Sequence, residues 1–590
     1  MYQAIFKQKP SQLWSRLRSV CQVTTLSLGV SAGIGLGSLA IAPQADAAEE
    51  INIVYSVFGR EIPVDSLTKF AETGEVDDDL AGYASYATPE EMAKFREILN
   101  ERVEISNVLI ARFLYTSQGE KLLELLGEVI KSGPNLSGAK GIRAALILAA
   151  SDRENGLTLL NFFEKYPTNI YMDIGSALEI VGEVSAAVAE AQRANDFVIN
   201  EANRQAALEL NQLSSDNEAN ESAATESIDL AAALPDLSNP GQSQSQRFEF
   251  SVEASSGNYQ IPYYLYLPSS PPALGQSFKL VVIYPGLGST RAPFVYLAEH
   301  LASYGFAVVL STSPGSDASQ LEALLVGASN QIAKPEAFLQ RPKDISDVLD
   351  HVDRLRTSDR NVPQNLDLDH VGMIGHSFGG YAALALASSG QINFAALAEA
   401  CQGFYSWNVS MSLQCVAAGL PEQEYNLSDD RIKAVIAMNQ IDSAVLGQTT
   451  LATIEVPVMF VAGNIDTIAP ALAEQIRPFT WLTTEQKYLL LIENASHLAV
   501  TTISEDIPIP VDARRVLAGA DPTLGNEYMK AMSVAFFQTH INGQANYAQY
   551  LTSAYAQSLS NSRLPLNLLR SLTPAQLQQG IDQSGKTATN

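Results

Sequence analysis

Val371–Ala387, VGMIGHSFGGYAALALA, is the stretch on which the reading of the fold turns. Val371–Ile374 is an apolar run with strand character, Tyr381–Ala387 is Ala-rich and helical in composition, and Gly375-His376-Ser377-Phe378-Gly379 turns between them. Strand, sharp turn, helix is the setting of a nucleophile elbow, where a serine at the tip is held in strained backbone geometry. Such a turn admits only small neighbours, and Gly375, Gly379 and Gly380 supply them. A short Gly/Ser pattern marks many strand-to-helix turns, so the weight falls on what lies downstream.

A nucleophile on such an elbow takes its acid and then its histidine from loops after later strands. Val456–Gly463 (VPVMFVAG) reads as a buried strand, and Asp466 follows at its carboxyl end, where ligands collect in open parallel sheets. Lys487–Ile492 (KYLLLI) is the next such strand, and His497 follows it. The chain has six histidines. His300, His351 and His540 fall on helical runs and His370 just before the serine strand, all with structural readings. His376 adjoins Ser377, but neighbours in a tight turn point different ways, so it reads as packing under the elbow. Ser377, Asp466 and His497 are therefore the candidate nucleophile, acid and base. Asp442, after the apolar run Ile432–Met438, is the rival acid. Upstream, the strand-like Phe278–Tyr284 (FKLVVIY) ends in Pro285-Gly286-Leu287-Gly288-Ser289, a Gly-rich turn able to present backbone N–H groups to a developing negative oxygen. The amides of Leu287 and Phe378 are the expected donors.

On these residues the segment 247–556 resembles the α/β-hydrolase superfamily, in particular its dienelactone hydrolase-like and platelet-activating-factor-acetylhydrolase-like esterases. The resemblance rests on YPGLGSTRAPFVYLAEHLASYGFAVV (Tyr284–Val309), RPKDISDVLDHVDRL (Arg341–Leu355), GHSFGG (Gly375–Gly380) and AGNIDTIAP (Ala462–Pro470). It implies an α/β fold with a mostly parallel sheet and a serine esterase acting through an acyl-enzyme. Members of these families often carry His-Gly where this chain has Pro285-Gly286, and dienelactone hydrolases use a cysteine where this chain has Ser377. The second departure argues for ester hydrolysis over that lactone chemistry. The expected substrate is a small-molecule or lipid ester, with no metal and no organic cofactor. A thioesterase or peptidase would use the same triad, which does not encode the leaving group; a non-catalytic binding protein on a hydrolase scaffold is the rival from another class. No protein partner is indicated.

The leading residues read as an export signal covering 1–47: Lys7, Lys9, Arg16 and Arg18 are basic, Ser19–Ile41 is apolar to small, and Ala45-Asp46-Ala47 suits a signal peptidase. Four serines and threonines within Thr24–Ser31, and the glycines Gly29, Gly33, Gly35 and Gly37, argue against a permanent membrane span. A periplasmic or secreted protein cleaved near Ala47 is expected. The formal net charge of −27 argues against nucleic acid or an anionic membrane surface as a charge-held partner. Two cysteines follow the signal, Cys401 and Cys415, and in an exported protein such neighbours read as a disulfide.

Residues 48–200 read as an all-α domain. Thr88-Pro89-Glu90-Glu91 is a capping box with proline at the first helical position, and Leu122, Leu123, Leu125, Leu126, Val129 and Ile130 form a helical stripe ended by Gly133-Pro134. No histidine or cysteine lies between Ala48 and His300. This segment resembles a helical domain of unknown function that precedes such hydrolases in cyanobacterial proteins. From Ser185 to Leu213 the pattern reads as a solvated helix, 201–246 as a polar linker, and 557–590 as a peripheral amide-rich tail.

Overall fold

The computed structural model describes residues 47–587 apart from 56–57, 104–106, 116, 219–233, 271, 273–274, 327, 330, 332, 403–407, 503–516 and 520. The expected export signal lies outside the described residues, as do parts of the linker and of the aromatic stretch after Cys401. Among the described residues no helix is long and apolar enough to cross a membrane. The chain forms two compact units, residues 1–188 with 321–332, and residues 189–320 with 333–590.

The first unit corrects the all-α expectation. Its helices include Pro89–Asn100, opened by the Thr88/Glu91 capping box, and Ser117–Val129. They accompany a four-stranded sheet of order β2-β1-β4-β3, formed by β1 (Glu50–Tyr55), β2 (Phe58–Pro63), β3 (Ile130–Lys131) and β4 (Ile170–Asp173). β1 pairs β2 in a hairpin and β4 in parallel across more than a hundred residues of chain. The two later strands hold four and two residues, too few to impose a period-2 pattern, and Ile130 leaves the leucine stripe to enter β3. Leu67, Phe70, Leu99, Leu123, Ala145 and Tyr166 fill the core between helices and sheet.

The second unit is built on a nine-stranded sheet of order β13-β12-β11-β10-β9-β7-β8-β6-β5. The strands are β5 (Ser245–Glu253), β6 (Gln260–Pro268), β7 (Phe278–Tyr284), β8 (Ala307–Ser311), β9 (Leu366–His376), β10 (Ile432–Met438), β11 (Val458–Gly463), β12 (Lys487–Ile492) and β13 (Leu566–Leu569). The central strands β8, β7, β9, β10, β11 and β12 are parallel, while β5, β6 and β13 join antiparallel. The central strands are almost wholly buried because helices cover both faces of a parallel sheet, which is why they read as unbroken apolar runs. The helix Pro522–His540 packs on the β9 strand at Gly372, where a Cβ would meet the Phe537 ring at 2.6 Å.

β7 and β9 are neighbours, yet the chain leaves β7 toward β8 on one side and leaves β9 toward β10 on the other. Ligands bind at the carboxyl ends of strands at such a switch point.

Two boundary expectations are corrected here. The helix Ile174–Glu218 is not solvated beyond residue 189: Ala194, Val198, Ala202 and Ala206 are fully buried in the second unit. Its Glu209 accepts from Ala554 N at 2.8 Å, and Leu237, in the expected linker, is a core residue whose carbonyl meets His300 Nε2 at 2.9 Å. The tail is not peripheral either, since β13 extends the sheet beside β12 and its residues are buried.

Candidate active site

The turn after β9 has the geometry its composition requires. Ser377 sits at φ 55°, ψ −119°, a conformation that costs a residue with a side chain about 1–3 kcal/mol and persists only when the surroundings enforce it. Enforcement comes from Ser377 N, which donates to Met438 O of β10 at 2.8 Å, and from the helix Phe378–Ala387 that starts directly after it. The glycines are needed for close approach: a Cβ on Gly379 would collide with Tyr284 O, and one on Gly375 with Gly379 O. On the β7 side, a Cβ on Gly286 would stand 2.9 Å from the Ser377 Cβ. The early Gly-rich turn and the serine are thus adjacent at the switch point.

Asp466 and His497 lie together on the loops after β11 and β12. His497 Nδ1 meets Asp466 Oδ2 at 2.7 Å, and both side chains are buried. The Asp466 carboxylate is held from every side: Oδ1 accepts from Ile468 N at 2.8 Å and Ala469 N at 2.9 Å, and Oδ2 also accepts from Asn439 Nδ2 at 2.7 Å. With Nδ1 engaged by the acid, the His497 ring has Nε2 left for proton transfer.

His376 faces away from this chemistry, as packing under the elbow requires. Its Nε2–H meets His497 O at 2.9 Å, its ring lies 4.9 Å from the His497 ring and 5.7 Å from Phe294, and burial pushes it down to about 3, so it stays neutral. It fixes the backbone of His497. His300, His351 and His540 meet Leu237 O, Tyr263 Oη and Tyr488 Oη, and His370 pairs with Asp367 at the surface.

Asp442 does not reach the imidazole. Burial, with the neighbouring Glu474 charge, pushes its carboxyl well above the usual carboxylate range. Glu474 is the hub there, accepting from Asp442 N at 2.9 Å, Ser443 Oγ at 2.6 Å and Gln414 Nε2 at 3.0 Å. Gln414 adjoins Cys415, which is bonded to Cys401 with a Cα separation of 5.8 Å.

The amides of Leu287 and Phe378 have no acceptor among the described residues, which leaves both free for a ligand oxygen. Asn439 and Arg341 are the residues that sequence reasoning missed. Asn439 has φ 46° at the end of β10, and a polar Asn-Gln pair closing an apolar strand on the active edge of the sheet was its one visible signal.

A sheet of this order, with Ser377, Asp466 and His497 on the turns after β9, β11 and β12, decides the fold. The fold is that of an α/β-hydrolase. A family model described as "Alpha/beta hydrolase of unknown function (DUF1400)" matches residues 47–173, which lie in the first unit and not on the nine-stranded sheet. The chain is also similar to cutinases. It is 20% identical to "Cutinase 2" of Thermobifida cellulosilytica over 282 residues, 48% of this chain and 75% of that protein. It is 20% identical to "Cutinase cut1" of Thermobifida fusca over 282 residues, which spans 61% of the latter's length.

Proposed function

We propose that this α/β-hydrolase is a serine ester hydrolase working through an acyl-enzyme. The observation that carries the reading is the 2.7 Å contact of His497 Nδ1 with Asp466 Oδ2, beside a serine held at positive φ. Ser377 Oγ attacks the acyl carbonyl as His497 Nε2 takes its proton, and Asp466 stabilises the imidazolium. The N–H groups of Leu287 and Phe378 receive the oxyanion. His497 then protonates the leaving alcohol, and a water activated by the same nitrogen releases the acid. Similarity to cutinases supports an ester over a thioester or peptide substrate. The reading includes lipid esters among the substrates, and export to the periplasm or medium, which the basic and then apolar leader supports.

Ser377→Ala tests it. Hydrolysis of p-nitrophenyl esters is expected to fall on the order of a millionfold, and labelling by a fluorophosphonate probe to disappear. Near wild-type turnover in that variant would remove Ser377 from the mechanism. Graded acyl chains set against a phospholipid panel then define the substrate.

A further inference from the structure

Arg341 is the largest side chain in the fully buried set, 1% exposed, and nothing in the mechanism above uses it. A guanidinium keeps its proton in a protein, so this is a buried positive charge, and burying an ion without a partner ion is costly. Among the described residues no carboxylate lies within ion-pair distance of it. The acid nearest in the network, Asp344, is occupied by Tyr259 Oη and Ser313 Oγ, each at 2.6 Å, and burial pushes its carboxyl up to about 6.

What Arg341 does touch is the expected oxyanion hole, from both sides. Nη2 donates to Pro285 O in the turn after β7, and Nη1 donates to Ser316 Oγ at 2.7 Å. Ser316 O accepts from Gly288 N at 2.9 Å. The turn is therefore pinned at Pro285 and at Gly288, with the free Leu287 amide between the pins. The face of the guanidinium lies 4.7 Å from the Phe378 ring and 4.7 Å from the Tyr284 ring. Phe378 supplies the second free amide. One side chain thus holds the two segments that carry the two donors.

We propose that Arg341 is the positioning residue of the oxyanion hole: it fixes the Pro285–Gly288 turn against Phe378 so that the amides of Leu287 and Phe378 converge, and its positive charge, held by no direct ion pair, favours the anionic intermediate over the neutral ester. The proposal rests on the serine-hydrolase reading. A preorganised charge in a dry site acts on the transition state, where negative charge develops, and little on the bound substrate. Its signature is therefore in kcat and not in KM.

The experiment uses the full chain. Fluorophosphonate labelling of the wild type, absent in Ser377→Ala, first establishes the serine-hydrolase reading, and its absence in the wild type would end that reading rather than this one. Arg341→Lys keeps the charge but loses the planar fork; Arg341→Met loses both. Each is expected to lower kcat for p-nitrophenyl acetate by about a hundredfold with KM nearly unchanged, as removal of one oxyanion donor does. Affinity for a trifluoromethyl ketone, whose adduct with serine carries the oxyanion, is expected to fall in step with kcat, which general loss of packing would not produce. Where the arginine variants do not fold, Ser316→Ala removes the Nη1 acceptor together with the donation from Ser316 Oγ to Ser313 O at 3.3 Å, and kcat is expected to fall with KM held. A kcat within about threefold of wild type in Arg341→Lys, or in Ser316→Ala where Arg341→Lys does not fold, overturns the proposal.

Discussion

In the first unit the described buried polar side chains are Ser66, Arg112 and Asn161; Arg112 Nε is buried with no hydrogen-bond partner among the described residues. Asn161 Nδ2 donates to Gly156 O at 2.6 Å, tying down a turn. In the second unit the buried polar groups include Arg341, Asp344, Asp442, Asp466, Glu474 and His497, gathered around the carboxyl ends of neighbouring strands. Both units enclose apolar cores, so the apolar effect alone explains each fold. The difference lies in how much charge is taken out of water: the first unit's described residues bury one charged side chain, Arg112, and the second's a cluster of them, which is costly unless hydrogen-bonded and is retained where chemistry uses it. On that comparison we expect the first unit to be scaffold and the second to carry the proposed reaction.

The sharpest test within the second unit separates its two buried aspartates. Asp466→Asn is expected to lower turnover by roughly ten-thousandfold, because the amide no longer selects the histidine tautomer that leaves Nε2 as base. Asp442→Asn should leave turnover close to wild type, since its carboxyl makes no contact with the imidazole, burial beside Glu474 disfavours its charge, and an amide is nearly isosteric with it. Rates from purified variants on one p-nitrophenyl ester decide it, and the reverse order of effects would move the triad acid to the loop after β10.

The next effect is on stability and falls on one unit only. His376 is pushed down to about 3 and His300 and His540 to about 4, in each case by burial first. Each is neutral in the fold while its unfolded counterpart takes up a proton below about 6.5. Between those values the unfolded chain binds more protons, so this stability is full above about 6.5 and is lost as pH falls toward 4. Asp344, raised to about 6, Asp442, pushed well above the usual range, and Glu209, raised by burial, work the other way across part of the window, while His351, lowered by burial, adds to the three histidines. The first unit's described residues hold no histidine and no tryptophan, whereas Trp481 belongs to the second. Tryptophan fluorescence should therefore report a denaturant midpoint that drops from pH 7 to pH 5. A midpoint unchanged or higher at pH 5 would contradict the assignment of neutral buried histidines.

The bridge Cys401–Cys415 joins residues 14 apart, and a loop of that size is worth about 3 kcal/mol in the chain-entropy account. Cys401→Ser with Cys415→Ser should lower the unfolding free energy read from the same fluorescence transition by about that amount, with a lower midpoint. Peptide mass spectrometry without reduction checks the bond itself, and two free thiols in the folded protein would refute it.

How much of this was legible follows from what each element buries. The strands β7, β10, β11 and β12 stand in the sequence almost residue for residue, and β9 in its second half, because a strand covered on both faces has no polar alternation and announces itself as an apolar run. The order Ser377, Asp466, His497 could be read because each sits one turn beyond such a run. Asn439 and Arg341 could not, since their roles depend on partners 27 and 56 positions away. β1 was missed although Ile51, Ile53 and Tyr55 alternate, because its hairpin partner β2 carries Gly59, Arg60 and Glu61 with little apolar alternation and its other partner β4 is remote. The buried face of the helix Ile174–Glu218 was missed for another reason: Ala194, Val198, Ala202 and Ala206 recur every four residues, and alanine is too small to mark a stripe as apolar.

That helix sets the terms of the smallest expected effect, which is none. If the first unit is scaffold, a chain beginning at Ala189 should fold and hydrolyse a small soluble ester at the wild-type rate, because Leu287, Arg341, Ser377, Phe378, Asp466 and His497 all lie in the second unit. A chain beginning at Ser243 should fare worse. It lacks four alanine and valine side chains buried on the helix and also Leu237, and removing fully buried apolar groups costs about 1–3 kcal/mol for each of the larger ones. The segment Leu321–Ile332 remains in both chains although its contacts are with the first unit, so solubility is best kept by comparing monomer fractions from size exclusion. The informative pair is turnover per labelled serine, counted with a fluorophosphonate, in the Ala189 chain and in the full protein. Equal values uphold the division between scaffold and chemistry. A folded, labelled Ala189 chain with low turnover on a small ester would break it, because access and localisation cannot matter for such a substrate and the first unit would then have to help build the site.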